Sequence, residues 1–199
     1  RVCWSLGGLF NARNAAMAAT AAGLALHPER PAELDLAALA NFRGVKRRQE
    51  IRMSGGRVTV IEDFGHHPTA IGETVRSLRA RYPGARLTAV FEARSNTART
   101  KSLQGSFQEA LALADEVYLG AVSRADRIPA AERFDPPSVA AALESRGVTA
   151  RFSVTNADLL RELQAGTLAG GDALRLVVFF TNGSFDGIID GYVAAARGI

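Results

Sequence analysis

The chain has 199 residues, 47% of them hydrophobic, with a formal net charge of +4 and a single cysteine. That length suits one large domain, or one domain plus a piece of another, and a lone cysteine rules out an internal disulfide and makes a reducing compartment the default. No apolar run approaches the ~20 residues needed to span a bilayer, and the basic residues are mostly scattered arginines such as Arg76, Arg79 and Arg81, so neither membrane nor nucleic acid is expected as a partner and an anionic small substrate fits better.

Residues 11–26 are Ala-rich and read as a helix, with Gly7-Gly8 ahead of it and His27-Pro28 behind. Residues 32–40 read as a further short helix, and Cys3 beside Trp4 as a packed side chain. After Phe42-Arg43-Gly44 the character changes to β-like runs, which puts a domain boundary near residues 41–45. Residues 50–53 and 57–62 read as strands joined by Ser54-Gly55-Gly56, a hairpin signal. Ile71, Val75, Leu78 and Tyr82 fall at helical spacing, and Pro83-Gly84 ends that helix. Strands at 87–91, 117–119, 150–154 and 174–180 then alternate with helices at 103–114, 138–145, 157–164 and 185–197. Residues 174–180 are apolar without alternation, as in a central parallel strand covered on both faces. The order predicts a doubly wound α/β fold with a mostly parallel sheet.

Three strand ends are polar. They are Glu62-Asp63-Phe64-Gly65-His66-His67-Pro68-Thr69, then Glu92-Ala93-Arg94-Ser95-Asn96-Thr97 with Arg99 and Lys101 beyond, and Thr181-Asn182-Gly183-Ser184. Open α/β sheets bind ligands outside the carboxyl ends of their strands, so these turns are expected to converge on one rim. Arg94, Arg99 and Lys101 beside Ser95, Asn96 and Thr97 suit a substrate with carboxylates, because arginine offers a planar fork and the hydroxyls and amide add direction. Asp63, His66 and His67 invite a metal reading, but neighbours on an extended backbone point to opposite sides and no further His or Cys stands nearby, so no metal site is expected. Pro68 is read as a first-turn proline. The chain has no Gly-x-x-x-x-Gly-Lys-Ser/Thr loop, no Gly-x-Gly-x-x-Gly after a strand and no Gly-x-Ser-x-Gly elbow, so it carries no complete catalytic machine by itself.

Several segments resemble the Mur ligases. Gly8-Leu9-Phe10-Asn11-Ala12-Arg13-Asn14 resembles the family's Gly-x-His-Asn-x-x-Asn helix start, and Gly44-Val45-Lys46-Arg47-Arg48-Gln49-Glu50 its Arg-x-Glu segment at the entry to the C-terminal domain. Asp63-Phe64-Gly65-His66-His67-Pro68-Thr69 is similar to the Asp-Tyr-Gly-His-His-Pro-Thr signature of the muramate-using members. Phe91-Glu92-Ala93-Arg94-Ser95-Asn96-Thr97 and Thr181-Asn182-Gly183-Ser184-Phe185-Asp186-Gly187 resemble the members that join L-alanyl-γ-D-glutamyl-meso-diaminopimelate to UDP-N-acetylmuramate in cell-wall recycling. The L-alanine-adding members have a His-Arg-Tyr-Thr-like segment in place of residues 94–97.

The resemblance implies a three-domain protein. This chain would hold the tail of the central ATPase domain (residues 1–41) and the C-terminal Rossmann-like domain (residues 42–199), its partners being the N-terminal and central domains. By the same resemblance Asn11 and Asn14 would contact the adenine of ATP, Arg48 the phosphate or ribose, and Asp63 the ribose, with His66 near the nucleotide or the incoming substrate. Arg94, Ser95, Asn96, Thr97 and Asn182 would hold the incoming peptide. The implied reaction is cytoplasmic and ATP-dependent: the muramate carboxylate is activated as an acyl phosphate, with Mg²⁺ bound mainly by the other domains, and the peptide amine attacks it to form an amide. The sequence departs from the family at Phe10 (usually His), Ala93 (Pro) and Ser184 (Gly). Two alternatives stay open: a ligase for free L-alanine, and a non-enzymatic Rossmann-like binding module.

Overall fold

The computed structural model describes residues 3–4, 6–170 and 173–198; Arg1, Val2, Ser5, Gly171, Asp172 and Ile199 lie outside it, so the 1–41 tail is covered only in part. The apolar run near residue 180 forms β6 (Arg175–Phe180), and it is central. The sheet order is β1-β2-β6-β3-β4-β5, with β1 (Glu50–Gly55) antiparallel at one edge. The other strands, β2 (Val58–Asp63), β3 (Arg86–Phe91), β4 (Glu116–Leu119) and β5 (Thr149–Phe152), run parallel with β6. The expected α/β architecture is therefore the one observed.

Why β6 lacks polar alternation is plain from its two faces. Leu176, Val178 and Phe180 enter a core built with Ile71, Val75 and Leu78 of α3 (Pro68–Arg81), Phe107 and Leu111 of α4 (Gln104–Leu111), and Val139 and Leu143 of α5 (Pro136–Glu144). Val177 and Phe179 enter a second core with Leu159 and Leu163 of α6 (Asn156–Leu168) and Ile188, Tyr192 and Val193 of α7 (Ile188–Ala196). Each fully buried Leu, Val or Phe side chain contributes about 1.5–3 kcal/mol. Neither face of such a strand has room for a polar residue.

α1 (Leu9–Leu26) forms as expected, but it buries only Gly23 and leaves Leu9, Met17, Leu24 and Leu26 exposed. Among the described residues none before Met53 joins or packs on either core. The segment expected as one helix over 32–40 divides into a 3₁₀ turn (Pro31–Glu33) and α2 (Ala37–Ala40), because Asp35 Oδ1 takes the Ala37 N–H at 2.9 Å and competes with a continuous helix. The helix expected to reach residue 114 stops at Leu111, where the chain turns so that Asp115 Oδ2 accepts from Leu87 N–H at 2.7 Å. The last helix is preceded by a 3₁₀ turn (Phe185–Gly187) with Asp186 and Gly187 at positive φ, and does not run unbroken from residue 185. Cys3, expected to pack, is exposed. No described helix is long and apolar enough to cross a membrane.

Candidate active site

The three polar strand ends do converge. Asp63 and Phe91 both pair with Phe180, so β2, β6 and β3 finish level, and the next residues stay linked: Thr181 N–H donates to the Asp63 carbonyl and Glu92 N–H to the Phe180 carbonyl, each at 3.1 Å. This rim holds three buried carboxylates, those of Glu62, Asp63 and Glu92. A buried charge is tolerable only when paired or hydrogen-bonded. Glu62 is met by Arg47 Nε at 2.6 Å and by Arg52. Asp63 Oδ1 accepts from Gly65 N–H at 2.6 Å and Oδ2 from Gln49 N–H at 2.9 Å. Glu92 accepts from the Thr181 hydroxyl and lies 3.5 Å from Arg94 Nη1. Burial pushes the carboxyls of Asp63 and Glu92 above their ordinary range, against the pull of these donors.

Beside the β2 end a cavity of about 800 Å³ opens between α1, the 44–49 loop and the start of α3. Asn11, Asn14, Arg48 and Asp63 line it together with Gln49 and His67, over apolar walls that include Trp4 and Phe10. Four of the five residues assigned to ATP by resemblance are thus brought together. His66 is not among the lining residues: its Nδ1 lies 3.0 Å from the Phe64 carbonyl and its ring meets Phe64 edge-on. His67 lines the cavity instead, and its Nδ1 accepts from Thr69 N–H at 3.3 Å as the N-cap of α3. Pro68 holds His67 in the extended conformation that a cap needs. Gln49 also lines the cavity, and its Nε2 is buried without a hydrogen-bond partner among the described residues. A mostly apolar pocket with a few converging polar groups has the chemistry of a small-molecule site.

The β3 turn is partly self-engaged. Ser95 Oγ accepts from Ala98 N–H at 3.1 Å, Asn96 Oδ1 from Arg99 Nη2 at 2.7 Å, and the Thr97 carbonyl from Thr100 N–H at 3.1 Å. These three shape the loop, while Arg94 leans towards Glu92 and packs against Gly183. Asn182 Oδ1 is buried with no partner among the described residues. Among the described residues, no group of three His, Cys, Asp or Glu side chains comes together as a metal site.

Arg47 has a role at this rim that the sequence reading passed over. Besides Glu62, its Nη2 donates to the carbonyls of Thr181 (3.0 Å) and Gly183, which ties the 44–49 loop to the β6 end. Arg47 and Gln49 both sit at positive φ (59° and 52°), an alternation that sends Arg47 to the sheet and Arg48 to the cavity. The Lys46-Arg47-Arg48 run was the only hint of it in the sequence.

Residues 47–178 match the family model described as "Mur ligase, glutamate ligase domain". The chain belongs to the Mur ligase family. It is 35% identical over 189 residues to the UDP-N-acetylmuramate–L-alanyl-γ-D-glutamyl-meso-2,6-diaminoheptandioate ligase of Escherichia coli, covering 94% of this chain and 37% of that protein. It is 34% identical over 162 residues to the UDP-N-acetylmuramate–L-alanine ligase of Oleidesulfovibrio alaskensis, covering 81% and 34% of the two chains. A crystal structure of a murein peptide ligase from Psychrobacter arcticus superposes with a TM-score of 0.72 at 28% identity, covering 100% of this Mur ligase chain and 39% of that one. This Mur ligase chain thus spans about a third of the length of these relatives.

Proposed function

We propose that this chain is part of an ATP-dependent ligase that joins the tripeptide L-alanyl-γ-D-glutamyl-meso-diaminopimelate to UDP-N-acetylmuramate in the cytoplasm. Residues 42–199 form its C-terminal domain, and residues 1–41 are the tail of a central ATPase domain. The observation that carries the reading is the juxtaposition of two sites on one rim: the Asn11–Asp63 cavity at the β2 end, and Arg94 against Gly183 where β3 and β6 finish. α1, with a single buried residue and four exposed large apolar side chains, has the surface of a helix that packs on protein outside this chain.

Asn11, Asn14, Arg48 and Asp63 would hold the nucleoside of ATP, with Gln49 and His67 added to that set. His66, outside the lining, is assigned to the face turned towards the incoming substrate. ATP supplies the activation of the muramate carboxylate, and its phosphates and Mg²⁺ are held by the domains outside this chain, because these residues include no P-loop. Arg94 and Asn182 would grip the incoming peptide, while Ser95, Asn96 and Thr97 fix the loop that presents Arg94. Holding the amine close to an activated carboxyl removes translational and rotational freedom from the barrier, which is this domain's share of the catalysis.

A second reading, ligation of free L-alanine, is favoured by the similarity to the Oleidesulfovibrio alaskensis enzyme. The Arg94-Ser95-Asn96-Thr97 segment, which resembles the tripeptide-adding members, supports the first. Release of ADP by the full-length protein on mixing ATP, Mg²⁺, UDP-N-acetylmuramate and tripeptide tests the proposal. The 199-residue chain alone is expected to release none, and ADP formation by it would contradict the division of labour.

A further inference from the structure

The loop that carries Arg94 is bonded to a segment that lines a second cavity. Segment 121–137 crosses the carboxyl ends of β4 and β5 and is bonded along the Arg94 loop. Ser123 N–H donates to the Ala93 carbonyl (3.1 Å), Lys101 N–H to the Glu132 carbonyl (2.8 Å) and Phe134 N–H to the Arg99 carbonyl (2.8 Å), and Thr100 pairs with Arg133 in an antiparallel bridge. Between this segment and the end of β5 lies a cavity of about 410 Å³.

Val122, Phe134, Phe152 and Val154 give it apolar walls, and Arg133 and Ser153 are polar groups the fold leaves unsatisfied. Ser153 is 6% exposed, and its hydroxyl has no hydrogen-bond partner among the described residues. The Arg133 guanidinium donates through Nη2 to the Ile128 carbonyl at 2.8 Å, while its buried Nε has no acceptor among the described residues. Asp135, the acid in the lining, is engaged as the N-cap of α5, its Oδ1 accepting from Ser138 N–H at 3.2 Å. Phe152 and Val154 are 41% and 81% exposed, apolar surface that nothing in the described fold covers. A guanidinium and a hydroxyl short of acceptors, set beside apolar walls, complement a carboxylate carried on an aliphatic stem.

Resting on the ligase reading above, we propose that this cavity seats the far, carboxylate-bearing end of the incoming peptide, with Arg133 as its binding residue and Arg94 gripping the nearer part. Segment 121–137, bonded to the Arg94 loop and lining the cavity, sets the two next to each other along the carboxyl rim. An acceptor as small as free L-alanine, held at the Arg94 loop, does not extend into it, so the cavity favours peptides over single amino acids.

The test is steady-state kinetics of the full-length protein with ATP, UDP-N-acetylmuramate and two acceptors: the tripeptide, and the dipeptide L-alanyl-γ-D-glutamate that lacks the far residue. Arg133→Gln is expected to raise KM for the tripeptide about tenfold with kcat and the KM for ATP kept, and to leave the dipeptide KM unchanged. Val154→Glu, at an exposed position that carries no folding role, is expected to act in the same direction by placing a like charge at the mouth. It decides the matter by itself if Arg133→Gln fails to fold. An unchanged tripeptide KM, or an equal rise for both acceptors, overturns this inference and leaves the ligase reading standing. Wild-type protein that ligates only free L-alanine overturns both.

Discussion

The guanidinium of Arg94 fills the space that a side chain at position 183 would need: a Cβ on Gly183 would overlap Arg94 Nε, Cδ and Cζ. Turns from two different strands are thereby made one unit, and the glycine is required for room, since its φ is not among the positive ones. Gly183→Ala is expected to displace Arg94, the flexible partner, without disturbing the sheet. Its thermal midpoint should stay close to wild type, while kcat/KM for the peptide acceptor falls at least about tenfold, the worth of one charge-assisted hydrogen bond. Peptide kinetics unchanged in this variant would remove Arg94 from the acceptor site.

Arg47 joins the 44–49 loop to the rim through Glu62, whose side chain is only 5% exposed. Removing one partner of a buried pair strands the other, which costs about 3–5 kcal/mol, less here because Arg52 also reaches Glu62. Arg47→Ala should therefore lower stability by about 2–3 kcal/mol in denaturant unfolding. Combined with Glu62→Gln, which removes the stranded charge, the loss should be smaller than the sum of the two single changes. Strict additivity would mean that the pair is not coupled.

Tyr192 is fully buried and its hydroxyl lies 2.7 Å from that of Thr167. Burial pushes its phenol from 10.0 to about 12, opposed by the Thr167 hydrogen bond and by Arg175. A folded value above the unfolded one means that this contribution is fully present below pH 10 and is lost as pH rises through about 12. Across that window wild-type stability should fall by roughly 2 to 3 kcal/mol from this group, and Tyr192→Phe should flatten the slope. At neutral pH the same substitution should cost about 1 kcal/mol for the lost hydrogen bond. Parallel alkaline slopes in the two proteins would contradict the assignment.

The proposed nucleotide role of the cavity beside β2 is testable by filling it. Ala15 lines it from α1, and Ala15→Phe should weaken binding of a non-hydrolysable ATP analogue to the full-length protein at least about tenfold while the peptide site is untouched. Calorimetric titration reads this directly. Equal affinity would place the base elsewhere.

Much of this fold was legible because local chemistry and tertiary position agree. The alternation-free run into Phe180 reads as a central strand covered on both faces, and Pro68 as the first-turn proline of a helix, and both form. The convergence of three polar turns followed from the parallel order alone. What could not be read depends on backbone states or partners that spacing does not encode. Whether Arg47 or Arg48 faces the rim turns on left-handed φ at residues 47 and 49, and these are not glycines. Asp35 divided a plausible helix by taking a single N–H. Ser95 and Asn96 look like ligand groups, and their side chains also bond within their own turn, which spacing does not encode. The Arg133–Ser153 cavity joins residues from two loops that no motif links.

The identity of the acceptor is tested by competition between acceptors. Full-length protein, supplied with ATP, Mg²⁺ and UDP-N-acetylmuramate, is given tripeptide and L-alanine together, and both products are quantified. The expected kcat/KM for the tripeptide is at least about a hundredfold above that for L-alanine, equivalent to about 2.7 kcal/mol of differential transition-state binding. A preference for L-alanine would contradict it and assign the Arg94 rim to the smaller substrate.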